Sequence, residues 1–135
     1  MAAEVPAHIR QLVYRLQGLR EPVDAHAQLI HGDLTGNVLF ASGQAPAVID
    51  FSPYWRPVAY ADAIVVVDGL LYHQAGPRLV DSALPDAEGA QMLLRALIFR
   101  LAASGVLVGR SGALAEDELI RFARVSQFVE ERIGG

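Results

Sequence analysis

The feature that most constrains the fold is a pair of short apolar runs separated by turn residues. Residues 38–40 and 47–49 are each three residues long, too short for a helix with a buried face. Ser42-Gly43-Gln44 lies between them, and Pro46 precedes the second run. We therefore predict two strands joined by a hairpin, with Pro46 at the start of the second strand, where no ladder donor is required.

Longer stretches on both sides of the hairpin have the apolar spacing of helices. This spacing predicts helices over residues 4–17, 86–103 and 115–133. Residues 58–74 are apolar on most sides, so their pattern fits either a centrally buried helix or two strands that turn at Asp68-Gly69. The remaining segments are predicted to be loops or irregular connections: residues 19–28, 52–57, 75–84 and 106–113. Together these elements predict an α+β fold in which helices dominate.

Composition limits the classes of function. The chain has 135 residues, a net charge of −4 and no cysteine, so we expect one domain over residues 1–135, without disulfides or thiolate metal sites. The acidic balance argues against a nucleic-acid partner. The apolar runs are too short to span a membrane, and the first residues lack a secretory signal, so we expect a cytoplasmic protein.

The basic residues are unusual. All 11 of them are arginine, and the chain contains no lysine. A mechanism that needs a lysine on a phosphate or in a Schiff base cannot be completed by this chain alone. The abundance of Ala, Val, Gly and Arg without Lys suggests a GC-rich bacterial genome.

The polar residues with chemical potential cluster around the predicted hairpin. They are His31, Asp33, Asn37 and Asp50. If the hairpin closes at Ser42-Gly43, Asn37 and Asp50 lie at the same end and offer two hard oxygen ligands, which Mg²⁺ prefers. Asp33 would stay nearby as a carboxylate free to accept a proton. Alternatively, these Asp and Asn residues serve only as turn formers.

The order of these residues is similar to a known pattern. His31-Gly32-Asp33, then Asn37, an apolar hairpin and Ile49-Asp50-Phe51 resemble the catalytic half of the aminoglycoside phosphotransferase and choline kinase family, which is related to protein kinases. The resemblance implies a kinase-like C-lobe in which a small β-hairpin carries the catalytic-loop and metal-site residues. It also implies phosphoryl transfer from ATP, with Mg²⁺, to the hydroxyl of a small-molecule acceptor.

The resemblance assigns roles to individual residues. Asp33 would be the catalytic base or would orient the acceptor hydroxyl, and Asn37 and Asp50 would hold the Mg²⁺ ions. His31 would be a structural member of the loop. The segment from Pro57 to Asp62 looks like the family's Pro-x-x-Asp opening of a buried helix, which favours the helical alternative for residues 58–74 and gives Asp62 a role in bracing the loop. Three further residues would lie near the acceptor: Tyr54, Trp55 and Arg56.

Two departures from the family pattern bear on activity. Three residues separate Asp33 from Asn37 where the family has four, and Thr35-Gly36 would have to absorb the difference. Only some 30 residues precede His31, without a glycine-rich loop or lysine, so we expect the N-lobe to be absent. We therefore expect no transfer by this chain alone, and a requirement for a missing N-lobe, a partner chain or a homodimer. The alternative is a non-catalytic interaction module that keeps the lobe's fold.

Overall fold

A computed structural model of the chain describes residues 7–111 and 116–134. In chain order, the elements are α1 (Ala7–Gln17), β1 (Ala27–His31), β2 (Val38–Leu39), β3 (Ala47–Val48), β4 (Pro53–Pro57), α2 (Val58–Tyr72), α3 (Pro77–Ala83), α4 (Ala87–Ser111) and α5 (Glu116–Gly134). The α+β class and the dominance of helices are confirmed. A few ends of the predicted segments lie outside the described residues: 4–6, 112–113 and 115.

The predicted hairpin is present. Strands β2 and β3 pair antiparallel, with Val38 opposite Val48 and Leu39 opposite Ala47. Its turn contains Gly43 at φ +74°, a left-handed conformation that glycine adopts without a steric penalty. The hairpin therefore closes at the predicted turn residues. It brings the residues before β2 next to those after β3.

The prediction of an irregular segment over residues 52–57 was wrong. Residues 53–57 form β4, which pairs antiparallel with β1 from Ala27 opposite Pro57 to His31 opposite Pro53. The two prolines stand at the ends of the strand, where a missing N–H is least costly. This pairing joins segments that are distant in sequence, and it places the end of β1 beside the residues that follow the hairpin.

Two other segments are more helical than predicted. Residues 75–84 were expected to form a loop but contain α3, in which Pro77 occupies the first turn, where its missing N–H does not matter. Helix α4 was expected to end near Gly105 but continues to Ser111. Glycine disfavours a helix by about 1 kcal/mol but keeps its backbone donor and acceptor, so a helix can pass through it. Residues 106–111 of the predicted connection are therefore helical.

Helix α2 lies at the centre of the core, and its formation settles the choice for residues 58–74. It contacts α3, α4, α5, β1 and β4. Fully buried side chains come from α2 (Ile64 and Val67), from α4 (Leu93, Leu94 and Leu97) and from α5 (Phe122 and Val129). Burial of each large apolar side chain contributes about 1.5–3 kcal/mol. The packed helices thus give the loop between β1 and β2 a rigid support.

Candidate functional site

His31 links the loop after β1 to the end of the hairpin. Its Nδ1 accepts a hydrogen bond from the backbone N–H of Asp33 at 3.0 Å, so the proton lies on Nε2, which donates to the carbonyl of Ile49 at 3.1 Å. The ring is 9% exposed and meets Phe51 edge-on, with centroids 5.4 Å apart. His31 therefore holds Asp33 and the residue before Asp50 in one arrangement.

A tight turn shortens the loop between Asp33 and Asn37. The backbone N–H of Asn37 donates to the carbonyl of Leu34 at 2.8 Å, and Gly36 adopts φ +77°. A positive φ at the third position of a four-residue turn favours glycine. The side-chain amide of Asn37 donates to the Asp33 carbonyl at 2.7 Å. Gly36 thus provides the backbone conformation that a spacing of three residues requires.

Asn37 and Asp50 lie at the same end of the hairpin. The N–H of Ile49 donates to the carbonyl of Asn37 at 2.9 Å, so Asp50 is the next residue beyond this pairing. Asp50 is exposed and has φ +48°, a conformation that Asp tolerates better than most residues. Because Nδ2 of Asn37 already donates to Asp33, Oδ1 is the amide atom left to meet a cation. The two residues thus present an amide oxygen and a carboxylate.

This pair of oxygen ligands fits one kind of metal ion. Mg²⁺ is commonly held by one or two carboxylates together with water and substrate phosphates. Within residues 7–111 and 116–134, no group of three or more His, Asp or Glu side chains could hold a metal ion by itself. Asn37 and Asp50 are two oxygen ligands, and an ion held by them would take its remaining ligands from water or from a bound molecule.

A buried ion pair lies under the loop. Asp68 of α2 is 3% exposed and accepts two hydrogen bonds from Arg100 of α4, at 2.7 and 2.8 Å, and a third from the Thr35 hydroxyl at 2.5 Å. Burial favours loss of the proton of Arg100, but the bonds to Asp68 outweigh it and raise the pKa of Arg100 above its ordinary value. The same guanidinium lies 3.4 Å from the carboxylate of Asp33. Asp33 therefore faces a fixed positive charge.

Neither Asp68 nor Arg100 was among the residues that the sequence assigned to the site. The family resemblance implied a bracing role for Asp62, which is exposed on the first turns of α2. Six residues along a helix correspond to a rotation of about 600°, so Asp62 and Asp68 lie on different faces. It is Asp68 that bonds to the loop through Thr35. The available signal was a lone carboxylate in the apolar run 63–71, which must find a partner when buried.

The three residues predicted near the acceptor lie on β4 but do not share one surface. Tyr54 packs edge-on against Phe99, with centroids 6.1 Å apart. Its ring also occupies the space beside Gly32, where an added Cβ would lie 2.1 Å from the ring. Trp55 points to the other face of the strand and is 63% exposed. Arg56 lines a cleft between β4 and α4, and Asp33 lines a different one.

The cleft beside Asp33 has a volume of about 350 Å³. Its polar lining includes Thr35, Tyr72 and Glu118, and the Tyr72 hydroxyl donates to Glu118 at 3.3 Å. Burial, reinforced by the nearby Glu118 carboxylate, raises the pKa of Tyr72, so its hydroxyl stays protonated at neutral pH. The cleft thus offers carboxylates and a hydroxyl to a polar molecule that lies against Asp33.

Comparisons with protein-family models, with curated proteins and with solved structures gave no match to this chain. No helix of the described ranges is both long enough and apolar enough to cross a membrane. The chain's own side chains are therefore the basis for assigning a function.

Proposed function

We propose that this chain is the phosphotransferase-like lobe of a small-molecule kinase, which transfers the γ-phosphoryl group of ATP, with Mg²⁺, to the hydroxyl of a small acceptor. One observation carries the proposal. Through its two ring nitrogens, His31 ties the backbone of Asp33 to Ile49, the residue before Asp50. A proton acceptor and two oxygen ligands are thereby held together on a loop and a hairpin, in the order that the family resemblance requires.

The side chains divide the reaction between them. The acceptor's hydroxyl oxygen forms a bond to the γ-phosphorus, the bond from that phosphorus to the bridging oxygen breaks, ADP leaves, and the hydroxyl proton passes to the carboxylate of Asp33. Asn37 and Asp50 would hold Mg²⁺, which supplies positive charge to the phosphate oxygens when it is bound. Asp68 fixes the guanidinium of Arg100, and the contact between this guanidinium and the Asp33 carboxylate keeps the carboxylate at the cleft.

The chain requires help to hold the phosphates. It contains no lysine, and Arg100 is already engaged by Asp68. Electrostatic stabilisation of a transferring phosphoryl group needs further donors aimed at it. We infer that an N-lobe, supplied by a partner chain or by sequence outside these 135 residues, provides them. The exposed apolar residues of the hairpin, Leu39, Phe40 and Val48, support such a contact.

The experiment is calorimetric titration of the chain with Mg-ATP, with Asp50→Asn beside the wild type. Asparagine tolerates the positive φ of Asp50 and removes only the charge. Contacts of a charged group are worth about 1.5–3 kcal/mol, so we expect the affinity to fall at least about tenfold. Omission of Mg²⁺ should weaken binding to the wild type and have little effect on the variant.

Asp81→Asn is the matched control. Asp81 is an exposed carboxylate on α3, and its partner among the described residues is Arg132 at 2.8 Å, so its removal should leave the affinity unchanged. Absence of Mg-ATP binding by the wild type would overturn a nucleotide site formed by this chain without an N-lobe. Equal affinities of the wild type and Asp50→Asn would overturn the assignment of the metal ligands.

A second candidate, the non-catalytic interaction module, is favoured by one specific observation. Phe40 at the hairpin tip is 78% exposed, and Leu39 and Val48 of the same hairpin are also exposed. A hairpin with several exposed apolar residues marks a surface that a partner or a second copy covers. Light scattering after size exclusion, with wild type and Phe40→Ser, tests self-association. A strict monomer at all concentrations would count against a module that works as a dimer.

A further inference from the structure

A second cleft, which Asp33 does not line, opens beside another part of α4. It has a volume of about 420 Å³ and lies between α4, the end of β4, the start of α2 and the segment after α1. Its lining includes three arginines, Arg20, Arg56 and Arg95, together with Tyr60. This volume lies within the range of about 300–1,000 Å³ typical of small-molecule sites. None of Asp33, Asn37 and Asp50 borders it.

The three arginines have no carboxylate partner among the described residues. Arg20 donates to the side-chain oxygen of Gln17 at 2.9 Å, and Arg56 donates to the carbonyl of Trp55 at 2.7 Å. Arg95 donates to the carbonyl and side-chain oxygens of Gln91 and to the carbonyl of Glu21, at 2.8–3.1 Å. All of these acceptors are neutral oxygens, so the positive charges remain uncompensated.

Four other arginines of the same chain are paired with carboxylates. Arg15, Arg100, Arg121 and Arg132 each lie within 3.4 Å of a carboxylate. The chain carries more acidic than basic residues, 15 against 11, so there is no shortage of partners. Glu21 and Asp24 are the acidic residues that follow Arg20 in the sequence. Both are exposed, and neither lines the cleft. The three arginines therefore concentrate positive charge in an acidic protein.

The charges in this cleft act on one another. Burial, and next the charge of Arg20, lower the pKa of Arg95. Repulsion between the two guanidinium groups opposes folding, and an anion seated between them would relieve it. Burial raises the pKa of Tyr60 although Arg56 opposes the shift, so its hydroxyl is protonated at neutral pH and can donate. The cleft thus combines three cations with a neutral donor.

The remaining lining is apolar. Pro57, Met92, Ile98 and Phe99 contribute apolar surface next to the arginines. An inorganic anion would leave this surface in contact with water, whereas an organic anion would cover it. Three guanidinium groups also match a doubly charged phosphate, with three terminal oxygens, better than a singly charged carboxylate with two.

We propose that this cleft binds a small phosphate monoester with an apolar or aromatic body, with the phosphate between Arg20, Arg56 and Arg95 and the body against Phe99. The site is separate from the proposed phosphoryl-transfer site and does not depend on it. A phosphorylated small molecule is preferred to a peptide because residues of four segments line the cleft and its volume is that of a single small ligand.

The test is calorimetric titration with phenyl phosphate in the presence of EDTA, which removes any contribution from a metal. We expect saturable one-to-one binding that weakens as salt is added, since the contacts are ionic. Phenol should not bind measurably, and benzoate should bind at least about fivefold more weakly than phenyl phosphate. Benzoate binding as tight as phenyl phosphate would overturn the phosphate assignment. Equal binding of inorganic phosphate would overturn the role of the apolar wall.

Substitution of the arginines tests whether phenyl phosphate binds in this cleft. Arg56→Gln replaces an exposed side chain and should weaken phenyl phosphate binding at least about tenfold, the loss expected for one charged contact. Arg20→Gln should act in the same direction. Arg78→Gln, an exposed arginine on α3 outside the cleft, is the matched control and should bind like the wild type. Wild-type affinity in both Arg56→Gln and Arg20→Gln would overturn the site.

Asp50→Asn separates this proposal from the phosphotransferase function. It should leave phenyl phosphate binding unchanged while it weakens Mg-ATP binding. Loss of phenyl phosphate binding in Asp50→Asn would place the ligand at the other site and overturn the proposal for this cleft.

Discussion

Two arginines five residues apart on α4, Arg95 and Arg100, have opposite kinds of partner. Arg100 is held by the buried Asp68 in two short hydrogen bonds and also faces Asp33. Within residues 7–111 and 116–134, Arg95 meets only neutral oxygens, and it lies near a second arginine, Arg20. The charge of Arg100 therefore holds a loop in place inside the protein, whereas the charge of Arg95 is available to the anion that we propose for the second cleft.

The largest expected effect comes from breaking the internal pair. Asp68→Ala leaves the guanidinium of Arg100 largely buried without its partner and removes the acceptor of Thr35. Loss of one partner of a buried pair costs about 3–5 kcal/mol, and because Arg100 keeps some contact with water we expect the lower end. Urea unfolding measures the free energy. The double variant Asp68→Ala with Arg100→Met should regain part of the loss, and a double variant less stable than Asp68→Ala would contradict the pairing.

The second-largest expected effect comes from crowding the contact between Gly32, in the loop after β1, and Tyr54 of β4. In Gly32→Ala the new Cβ would lie 2.1 Å from the Tyr54 ring, so the ring or the strand must move. Overpacking of this kind costs about 1–3 kcal/mol. Gly134→Ala, where no atom lies within 4 Å, is the control and should change the unfolding free energy very little. Thermal unfolding of the two variants compares them, and equal midpoints would show that the ring does not restrain the loop.

Added salt should shift the pKa values of the tyrosines in the two clefts, Tyr60 and Tyr72, in opposite directions. Nearby arginines act to lower the pKa of Tyr60, while Glu118 acts to raise that of Tyr72. Screening by salt should therefore raise the pKa of Tyr60 and lower that of Tyr72. Tyrosinate absorbance in Tyr72→Phe and in Tyr60→Phe, compared with the wild type, measures each shift. Shifts of the same sign would contradict the charge contrast between the clefts.

The same two tyrosines set the alkaline limit of stability. Both pKa values in the folded protein lie above the ordinary value of 10.0, so the folded state retains protons that the unfolded chain has already lost. Stability should therefore hold below about pH 10 and decline as the pH rises through the folded pKa values. With no lysine in the chain, few other groups titrate there. Tyr60→Phe and Tyr72→Phe should each make the decline shallower.

The smallest expected effect distinguishes the two arginine environments directly. Arg20→Gln removes a charge that repels Arg95 and has no carboxylate partner among the described residues. We expect its unfolding free energy to stay within about 0.5 kcal/mol of the wild type, or to rise slightly. Arg100→Gln should instead lose about 2 kcal/mol or more, since it leaves Asp68 buried without a cation. Equal losses of unfolding free energy in Arg20→Gln and Arg100→Gln, measured with urea, would contradict the difference between the two arginine environments.

Local patterns predicted the parts of the fold that depend on neighbouring residues. The hairpin follows from two short apolar runs around a glycine turn, and with it comes the approach of Asn37 to Asp50, since both flank the paired strands. The leucine stripe of α4 is buried as its spacing indicated. In these cases a residue's partners lie within a few turns or on the adjacent strand, so the spacing determines the contact.

Contacts between distant segments could not be predicted in this way. Strand β4 exists because β1 pairs with it, and its own two prolines argue against a strand. The bond from Arg100 to Asp68 joins residues 32 positions apart. The apolar run around Asp68 indicates that this carboxylate is buried, but it does not identify the partner or the loop that the carboxylate faces. Which carboxylate of a buried helix meets the site depends on how that helix is rotated, and the rotation is set by the whole core.

The measurement that tests the central claim most directly is nuclear magnetic resonance of the chain titrated with Mn²⁺-ATP. Mn²⁺ takes the same oxygen ligands as Mg²⁺ and broadens the signals of nearby nuclei. We predict that the side-chain amide of Asn37 and the backbone amide of Asp50 broaden first. Broadening of the Arg20, Arg56 and Arg95 signals, with Asn37 and Asp50 unaffected, would place the metal-nucleotide in the other cleft and contradict the proposed function.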